Sequence, residues 1–504
     1  MTSIATASLP SNVTVPTYNR AGLKTKIVHL GFGAFHRAHQ AFYTNELAER
    51  HQSDWGICEV NLFTGKAPIE QLKTQDYLYS VIEKATDSVM TTVVGVVTGA
   101  MHPELDTPQG IIEKMAEPQV AIVSLTVTEK GYCCDPASGQ LDTQNALIQH
   151  DLMHPETPKS AIGYVVQALI LRKSRGLTGF SVLSCDNMQG NGLVAKAAIL
   201  GFVKQLDGSL SNNSLLDSSL LEGTLSEWIE KNVTFPSTMV DRIVPAMTEE
   251  NVAEVAHHLT VSDPCAVICE PFRQWVIEDN FIQSRPDWNR VGAIFTQDVE
   301  TFEEMKLRLL NGSHSFLAYL GYLGGYQYIS DTMQDNHYKQ AVLNMMLKEQ
   351  APTLSLPDGV DVEAYAVQLI QRFSNTELKH KTEQIAMDGS QKLPQRFLNS
   401  LRYTMKNSLP YDGLVMGIAG WMHYVSGVDK VGNAIEVKDP MTEVFAKIHK
   451  EHKTSASRVH ALLGLEAIFG QDLISDDALR NKLTNAYQLI DAQGVRAAVA
   501  TLSK

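Results

Sequence analysis

The chain has 504 residues, 44% hydrophobic and 19% charged, an ordinary globular composition that excludes a disordered chain, a collagen-like repeat and a small disulfide scaffold. Its 42 Lys and Arg against 56 Asp and Glu leave a net charge of −14. That argues against nucleic-acid or anionic-membrane partners and leaves room for a local basic pocket holding a small anion. The six cysteines are scattered without CxxC spacing, so neither a disulfide framework nor a structural zinc site is expected, and no metal is assigned. The opening residues lack a basic segment followed by a long apolar core, and no apolar run is long enough to span a membrane. A soluble cytoplasmic protein is expected.

The first clear element begins at Lys26. KIVHLGFGAFHRAHQAFYTNELAER reads as a buried strand, a glycine turn and an amphipathic helix. Ile27, Val28 and Leu30 supply the strand; Ala41, Phe42 and Leu47 recur at helical spacing. Strand-like runs follow at 55–63, 90–99, 121–129 and 180–187, with helical patterns at 111–116 and 161–175. This alternation predicts an α/β fold with a mostly parallel, doubly wound sheet of Rossmann type. The serine-, leucine- and asparagine-rich stretch 206–221 reads as a surface excursion between helices. Beyond about residue 296 the pattern turns helical, at 301–310, 341–349, 362–373, 444–451 and 478–493. A boundary behind the turn-rich SRPDWNR divides the chain into a Rossmann-type domain, 1–295, and a mainly α-helical domain, 296–504. The pattern carries no reading of oligomeric state.

Gly31-Phe32-Gly33-Ala34-Phe35-His36 follows the first strand. Glycine permits a sharp turn and close approach of the backbone to a pyrophosphate, and the helix behind offers free N–H groups. Two glycines at a strand end also make a plain turn, and His36 stands where the third fingerprint glycine belongs. The context favours a dinucleotide site built on Ile27, Val28, Leu30, Gly31, Phe32, Gly33, Ala34, Phe35, His36 and Arg37. The fingerprint next expects an acidic residue near the end of the second strand to bind the adenosine ribose. Glu59 is the only acidic residue in 55–63, though mid-strand, and Asn61 could share the role. NAD is preferred, with Lys66 leaving NADP open.

Lys306, Asn311 and His314 fall on one broad face if an α-helix runs unbroken through Gly312. A desolvated lysine can act as a base, an asparagine amide can hold a carbonyl or alkoxide oxygen, and a histidine can orient it. The plainer alternative is an exposed lysine, an Asn-Gly cap and a core histidine. Asn187 and Glu129 each end a predicted strand, where open α/β sheets gather ligands. Asp241-Arg242 reads as a buried ion pair or a pocket wall. The turn-rich basic segment 387–396 is either a source of cations for an anionic substrate or a solvated loop.

Taken in order, these segments resemble the polyol-specific long-chain dehydrogenases, the mannitol dehydrogenase family. VTFPSTMVDRIVP (233–245) is similar to that family's signature stretch, and Lys306-x4-Asn311-x2-His314 to its catalytic pattern. GFGAFHRAH, TVTEKGY and SCDN fall in the expected order, so the resemblance covers nearly the whole chain. SDWGICEVNL, EPFRQWVIEDNF, MKLRLLNGSHSFLAYLGYLGGY and QIAMDGSQKLPQR look most like the branch acting on keto-uronates and aldonates. The resemblance implies NAD(H)-dependent, metal-independent interconversion of D-fructuronate and D-mannonate in hexuronate catabolism. The alternative is a sibling reaction on tagaturonate or on a neutral hexitol. It also implies a site between the two domains, with Lys306 as general acid/base and Asn187 and Asn311 on the reacting oxygen. His314 would orient the substrate, Glu129 would relay protons, and Asp241 and Lys392 would belong to the substrate pocket. One departure bears on the substrate: polyol-oxidising members carry arginine where this chain has Gln384. A substrate carboxylate is then expected to find Lys392, Arg396 or Lys381 through charge-assisted hydrogen bonds. Thr376, where relatives have proline after Arg-Phe-x-Asn, is expected to affect only a loop.

Overall fold

The computed structural model describes residues 3–135, 138–210, 224–356, 360–429 and 432–503. It divides into two units, Met1–Glu300 and Thr301–Lys504. No helix among the described residues is long and apolar enough to cross a membrane.

In the N-terminal unit the strands β1 (Lys24–Leu30), β2 (Trp55–Val60), β3 (Val97–Met101), β4 (Ile122–Leu125) and β5 (Ser181–Ser184) form one parallel sheet. Its order is β3-β2-β1-β4-β5. Every residue of β2, β4 and β5 is buried, as strands covered by helices on both faces require. The crossover helix Ala161–Ser174 between β4 and β5 starts on Ser160, whose Oγ accepts the Gly163 N–H at 2.9 Å. Strand order reverses between β1 and β4, so the chain leaves β1 at the switch point, where doubly wound sheets bind ligands.

Several local expectations are corrected. The helix behind the glycine turn is broken into α1 (Ala34–Ala38) and α2 (Gln40–His51) by His39, whose φ of −124° and ψ of −93° are not helical. The run 90–99 is two strands, Ser88–Val94 and β3, in different sheets. The chain changes sheet at Gly95, where a Cβ would lie 2.8 Å from Pro16. The run 121–129 is strand only over β4 and ends in the short helix Thr128–Gly131. Of 206–221, residues up to 210 belong to the helix Asn191–Leu210, and 211–221 lie outside the described residues.

Two further sheets were not read from the sequence, apart from the part of Ser88–Val94 that falls in the run 90–99. One orders Val13–Thr14, Ser88–Val94, Tyr79–Ala85 and Val267–Cys269; the other orders Ile294–Thr296, Gln274–Glu278 and Thr238–Asp241. Arg242 pairs not with Asp241 but with Glu83, both side chains almost wholly buried. It also donates to Glu270 O and Ala38 O and lies over the Phe42 ring. A buried pair so fully bonded fixes arrangement more than it adds stability.

The described residues of the C-terminal unit are helical, with a core built on Phe316, Leu320, Ile418, Trp421 and Tyr487. Three stretches are π-helical: Lys306–Gly312, Met345–Gln350 and Pro394–Leu398. The expected α-helices over 301–310 and 341–349 therefore give way to a wider turn partway along. Pro394, which lacks an N–H, suits such a break in the ladder. All three stretches meet at Gly312. A Cβ there would run into Gln350 Nε2 and lie 2.8 Å from Arg396 O, and Gln350 Nε2 donates to Arg396 O at 3.3 Å.

Candidate active site

The glycine turn is shaped by what surrounds it. Gly31 has φ 115°, and a Cβ there would strike the Thr126 carbonyl at the end of β4. Its N–H donates to Val60 O at 2.8 Å, and the Gly33 N–H donates to Gly31 O at 2.6 Å. Gly33 is exposed, and a Cβ there would meet only Gly31 O at 3.9 Å. Bare backbone at the switch point fits the close approach of a dinucleotide pyrophosphate. Ala34 and Phe35 are half-buried behind it, and Arg37 lies over the Phe32 ring at 4.9 Å and donates to Cys265 O. Ile27, Val28 and Leu30 are fully buried in the sheet; they carry the turn and do not line it.

Glu59, expected at a ribose, is turned inward. It is fully buried, with Oε1 2.8 Å from His36 Nε2. The His36 ring lies flat on that of His29, centroids 3.3 Å apart and planes within 9°. Burial pushes the Glu59 carboxyl up to about 7 and His36 down to about 3. A carboxylate sealed under the turn is out of reach of a ribose, so that role falls to another group. Asn61 is committed to its own loop, donating to Thr64 Oγ1 at 2.7 Å and to Gly65 O at 3.1 Å. Among the described residues, only His29, His36 and Glu59 bring three potential metal ligands within 4.8 Å of one another. Histidine binds a metal in the plane of its ring. Two parallel stacked rings cannot both aim at one ion, so this cluster does not fit a metal.

Asn187 lies just past β5 and Glu129 on the short helix just past β4; both are exposed. Asp186 ties these strand ends together. Its carboxylate accepts from the Val127 and Thr128 N–H groups at 3.0 and 2.8 Å and from Tyr132 OH at 2.7 Å. Asn191 Nδ2 donates to Asp186 O at 2.9 Å and to Thr238 O at 2.8 Å. It thereby clamps the strand Thr238–Asp241, with Asp241 buried at its end, beside β5. Asp186 stood in the sequence only as a neighbour of Asn187 at a strand end, and Asn191 did not stand out, since each acts through backbone groups of distant residues.

In the C-terminal unit Lys306, Asn311 and His314 are all buried. The π-helical pattern, bonding i to i+5, sets Asn311 beneath Lys306. Among the described residues Asn311 Oδ1 and His314 Nε2 have no hydrogen-bond partner. Burial, reinforced by His380, Arg372, Arg396 and Lys306, holds His314 well below the usual imidazole range, so it is neutral at neutral pH. Its ring packs on Phe373 at 4.5 Å and His380 at 5.3 Å. Arg396 Nη1 donates to Ser315 Oγ at 2.9 Å and Asn311 O at 3.3 Å. Arg372, His380 and the buried Glu303, one turn before Lys306, were missed; the Arg-Phe pair at 372–373 was the available signal. Lys392 Nζ donates to Met387 O at 2.5 Å and Ile385 O at 3.4 Å. Gln384 is exposed, and Lys381 is exposed and paired with Glu383 at 3.3 Å. Thr376 opens a one-turn 3-10 helix, Thr376–Leu378, capped by Asn375.

Residues 25–290 match the mannitol dehydrogenase Rossmann domain, and residues 298–491 the mannitol dehydrogenase C-terminal domain. D-mannonate oxidoreductase of Escherichia coli strain K12 is 55% identical over 504 residues, all of both chains. Pseudomonas fluorescens mannitol 2-dehydrogenase, solved as a ternary complex with NAD and D-mannitol, superposes with a TM-score of 0.84 at 34% identity, covering 98% of this chain and 97% of that one. A D-sorbitol dehydrogenase in substrate-free form gives 0.86 at 32%, covering 99% and 100%. Matched in both halves and along its full length, the chain belongs to the mannitol dehydrogenase family of oxidoreductases.

Proposed function

We propose that the protein interconverts D-fructuronate and D-mannonate with NAD(H), the unit up to residue 300 holding the coenzyme and the unit beyond it supplying the proton chemistry. The observation that carries this reading is the buried Lys306–Asn311–His314 group amid Arg372 and Arg396, in a chain 55% identical throughout to a D-mannonate oxidoreductase. NAD is supported by the open glycine turn and by the NAD complex of the Pseudomonas relative. When bound, the coenzyme supplies or accepts the hydride. Lys306, desolvated, gives its Nζ proton to the alkoxide oxygen as the ketone is reduced, and takes it back in oxidation. Asn311 holds that oxygen with its amide, and neutral His314 orients a neighbouring hydroxyl through Nε2. Asn187 is read as a second amide for the oxygen, Glu129 as the proton relay, and Asp241 and Lys392 as pocket residues. Arg396 is read as the cation for the carboxylate. A lysine and amides in these roles leave no step that requires a Lewis acid. All six cysteines are free thiols, which suits a reducing compartment and the cytoplasm.

NADH oxidation measured in parallel with D-fructuronate, D-tagaturonate and D-fructose, each repeated with NADPH, tests the reading. Fast turnover of D-fructuronate with NADH is expected. Preference for D-fructose would make the protein a hexitol dehydrogenase, and preference for D-tagaturonate would assign the sibling uronate. Lys306→Ala is expected to lower kcat by roughly 10²–10⁴-fold while NADH still binds.

A further inference from the structure

Resting on the coenzyme reading above, we propose that His29, His36 and Glu59 are positioning residues for the coenzyme turn, and that coenzyme binding draws one proton from solvent onto the Glu59–His36 pair beneath it.

The cluster is built into the turn. His29 Nε2 lies 2.9 Å from Gly31 O and 2.9 Å from Thr126 Oγ1, which itself donates to Gly31 O at 2.9 Å. These contacts, with His29 Nδ1 2.8 Å from Ser124 Oγ, hold the ring against the peptide that makes the turn. His36, from α1, covers the other face of His29. In a dinucleotide fingerprint the third glycine lets helix and strand pack closely; here two flat rings in contact perform that packing. Stacking this tight requires uncharged rings, because two imidazolium ions would repel.

One hydrogen bond then joins His36 Nε2 to Glu59 Oε1. Either Glu59 is an acid and donates, or it is a carboxylate and accepts from the imidazole N–H. Glu59 Oε2 has no hydrogen-bond partner among the described residues, so the second form leaves a buried negative charge without a full set of donors. The charged and titratable groups facing it are Arg37 on α1, His29 on β1, Cys58 on β2 and Tyr79 on the strand Tyr79–Ala85. Burial holds His29 and His36 below the neutral range, pushes Cys58 up to about 12 and raises Tyr79 further. Arg37 is cationic and favours the carboxylate; burial outweighs it, so Glu59 alone of these titrating groups changes state near pH 7. Above that pH the pair carries a negative charge beneath the diphosphate; below it the pair is neutral. Coenzyme therefore binds the protonated form more tightly.

The test is the NADH dissociation constant of the full chain, measured by nicotinamide fluorescence between about pH 6 and pH 9. It is joined by calorimetry in buffers of different ionisation enthalpy to count protons taken up. The expected result is a Kd that rises about tenfold across the range, one unit of linked pKa shift, with proton uptake near pH 7. Glu59→Gln, neutral at every pH, should bind with a flat profile and no uptake. A purely structural Glu59 would lower affinity equally at all pH values. A flat wild-type profile without uptake, or the wild-type slope retained in Glu59→Gln, overturns the proposal. Failure of the wild type to bind NADH at any pH overturns the coenzyme reading itself, and this proposal with it.

Discussion

At Gly312 the lack of a side chain lets three π-helical turns meet. Gly312→Ala would force Gln350 and the Arg396 carbonyl apart and so disturb Asn311 and the Lys306 turn together. Overpacking of this kind costs about 1–3 kcal/mol; a lowered melting temperature and a kcat loss larger than any change in NADH affinity are expected, by thermal shift and steady-state kinetics. Arg396→Lys should raise KM for D-fructuronate more than it lowers kcat, because a lysine loses the fork that reaches a carboxylate. Lys381→Ala, changing a residue paired on the surface with Glu383, should leave both constants unchanged. At this scale Lys306, Asn311 and His314 were legible as a group, since residue types and spacing are written in the chain. Their geometry was not, because α-helical periodicity does not reveal a π turn. Glu59 carried a visible warning: a residue in the middle of a parallel strand is covered on both faces.

The elements that sequence periodicity located best are the long ones. The helix Val362–Phe373 has the expected limits, and the alternation of strands and helices identified the Rossmann-type sheet. Several strands it missed have few residues, as in Val267–Cys269 and Thr238–Asp241, and owe their form to partners far along the chain; Tyr79–Ala85 was missed although it has seven. One element terminus makes a pH-dependent prediction. The helix Asp412–Tyr424 begins against Glu349, whose two carboxyl oxygens accept the Gly413 and Leu414 N–H groups at 2.8 Å each. Burial nevertheless pushes that carboxyl from 4.5 up to about 7. The folded value lies above the unfolded one, so its contribution to stability is complete below about pH 4.5 and lost as the pH rises through about 7. The loss is on the order of 3 kcal/mol. Glu349→Gln should remove that part of the stability profile, seen as a variant-minus-wild-type difference in urea midpoint that moves in the variant's favour between pH 5 and pH 8.

Across the whole molecule burial favours the neutral form of carboxyl and imidazole alike, with opposite effects on stability. Burial raises Glu59, Glu83, Asp186 and Glu349, whereas Asp54, Asp279 and Asp472, lowered by their lysine or arginine partners, lie nearer the surface. The buried histidines His29, His36, His39, His314 and His380, held below the usual imidazole range by burial, act the other way and gain stability as the pH rises through about 6.5, so the melting temperature is expected to rise from about pH 5 to about pH 6.5, measurable by calorimetry, and to rise more steeply in Glu59→Gln.

The second sheet of the N-terminal unit pairs Val81 with Val267 and Val13 with Thr91. A ribosome delivers these strands at very different times. Until residue 269 has emerged, Tyr79–Ala85 has one edge of its backbone unpaired, with the apolar Val81 and Ile82 along it. Closing so long a loop is slow, and an open apolar edge invites pairing with other chains. The nascent protein thus passes through an adhesive stage that ends when Val267–Cys269 docks, which makes this short strand the latch of the N-terminal unit.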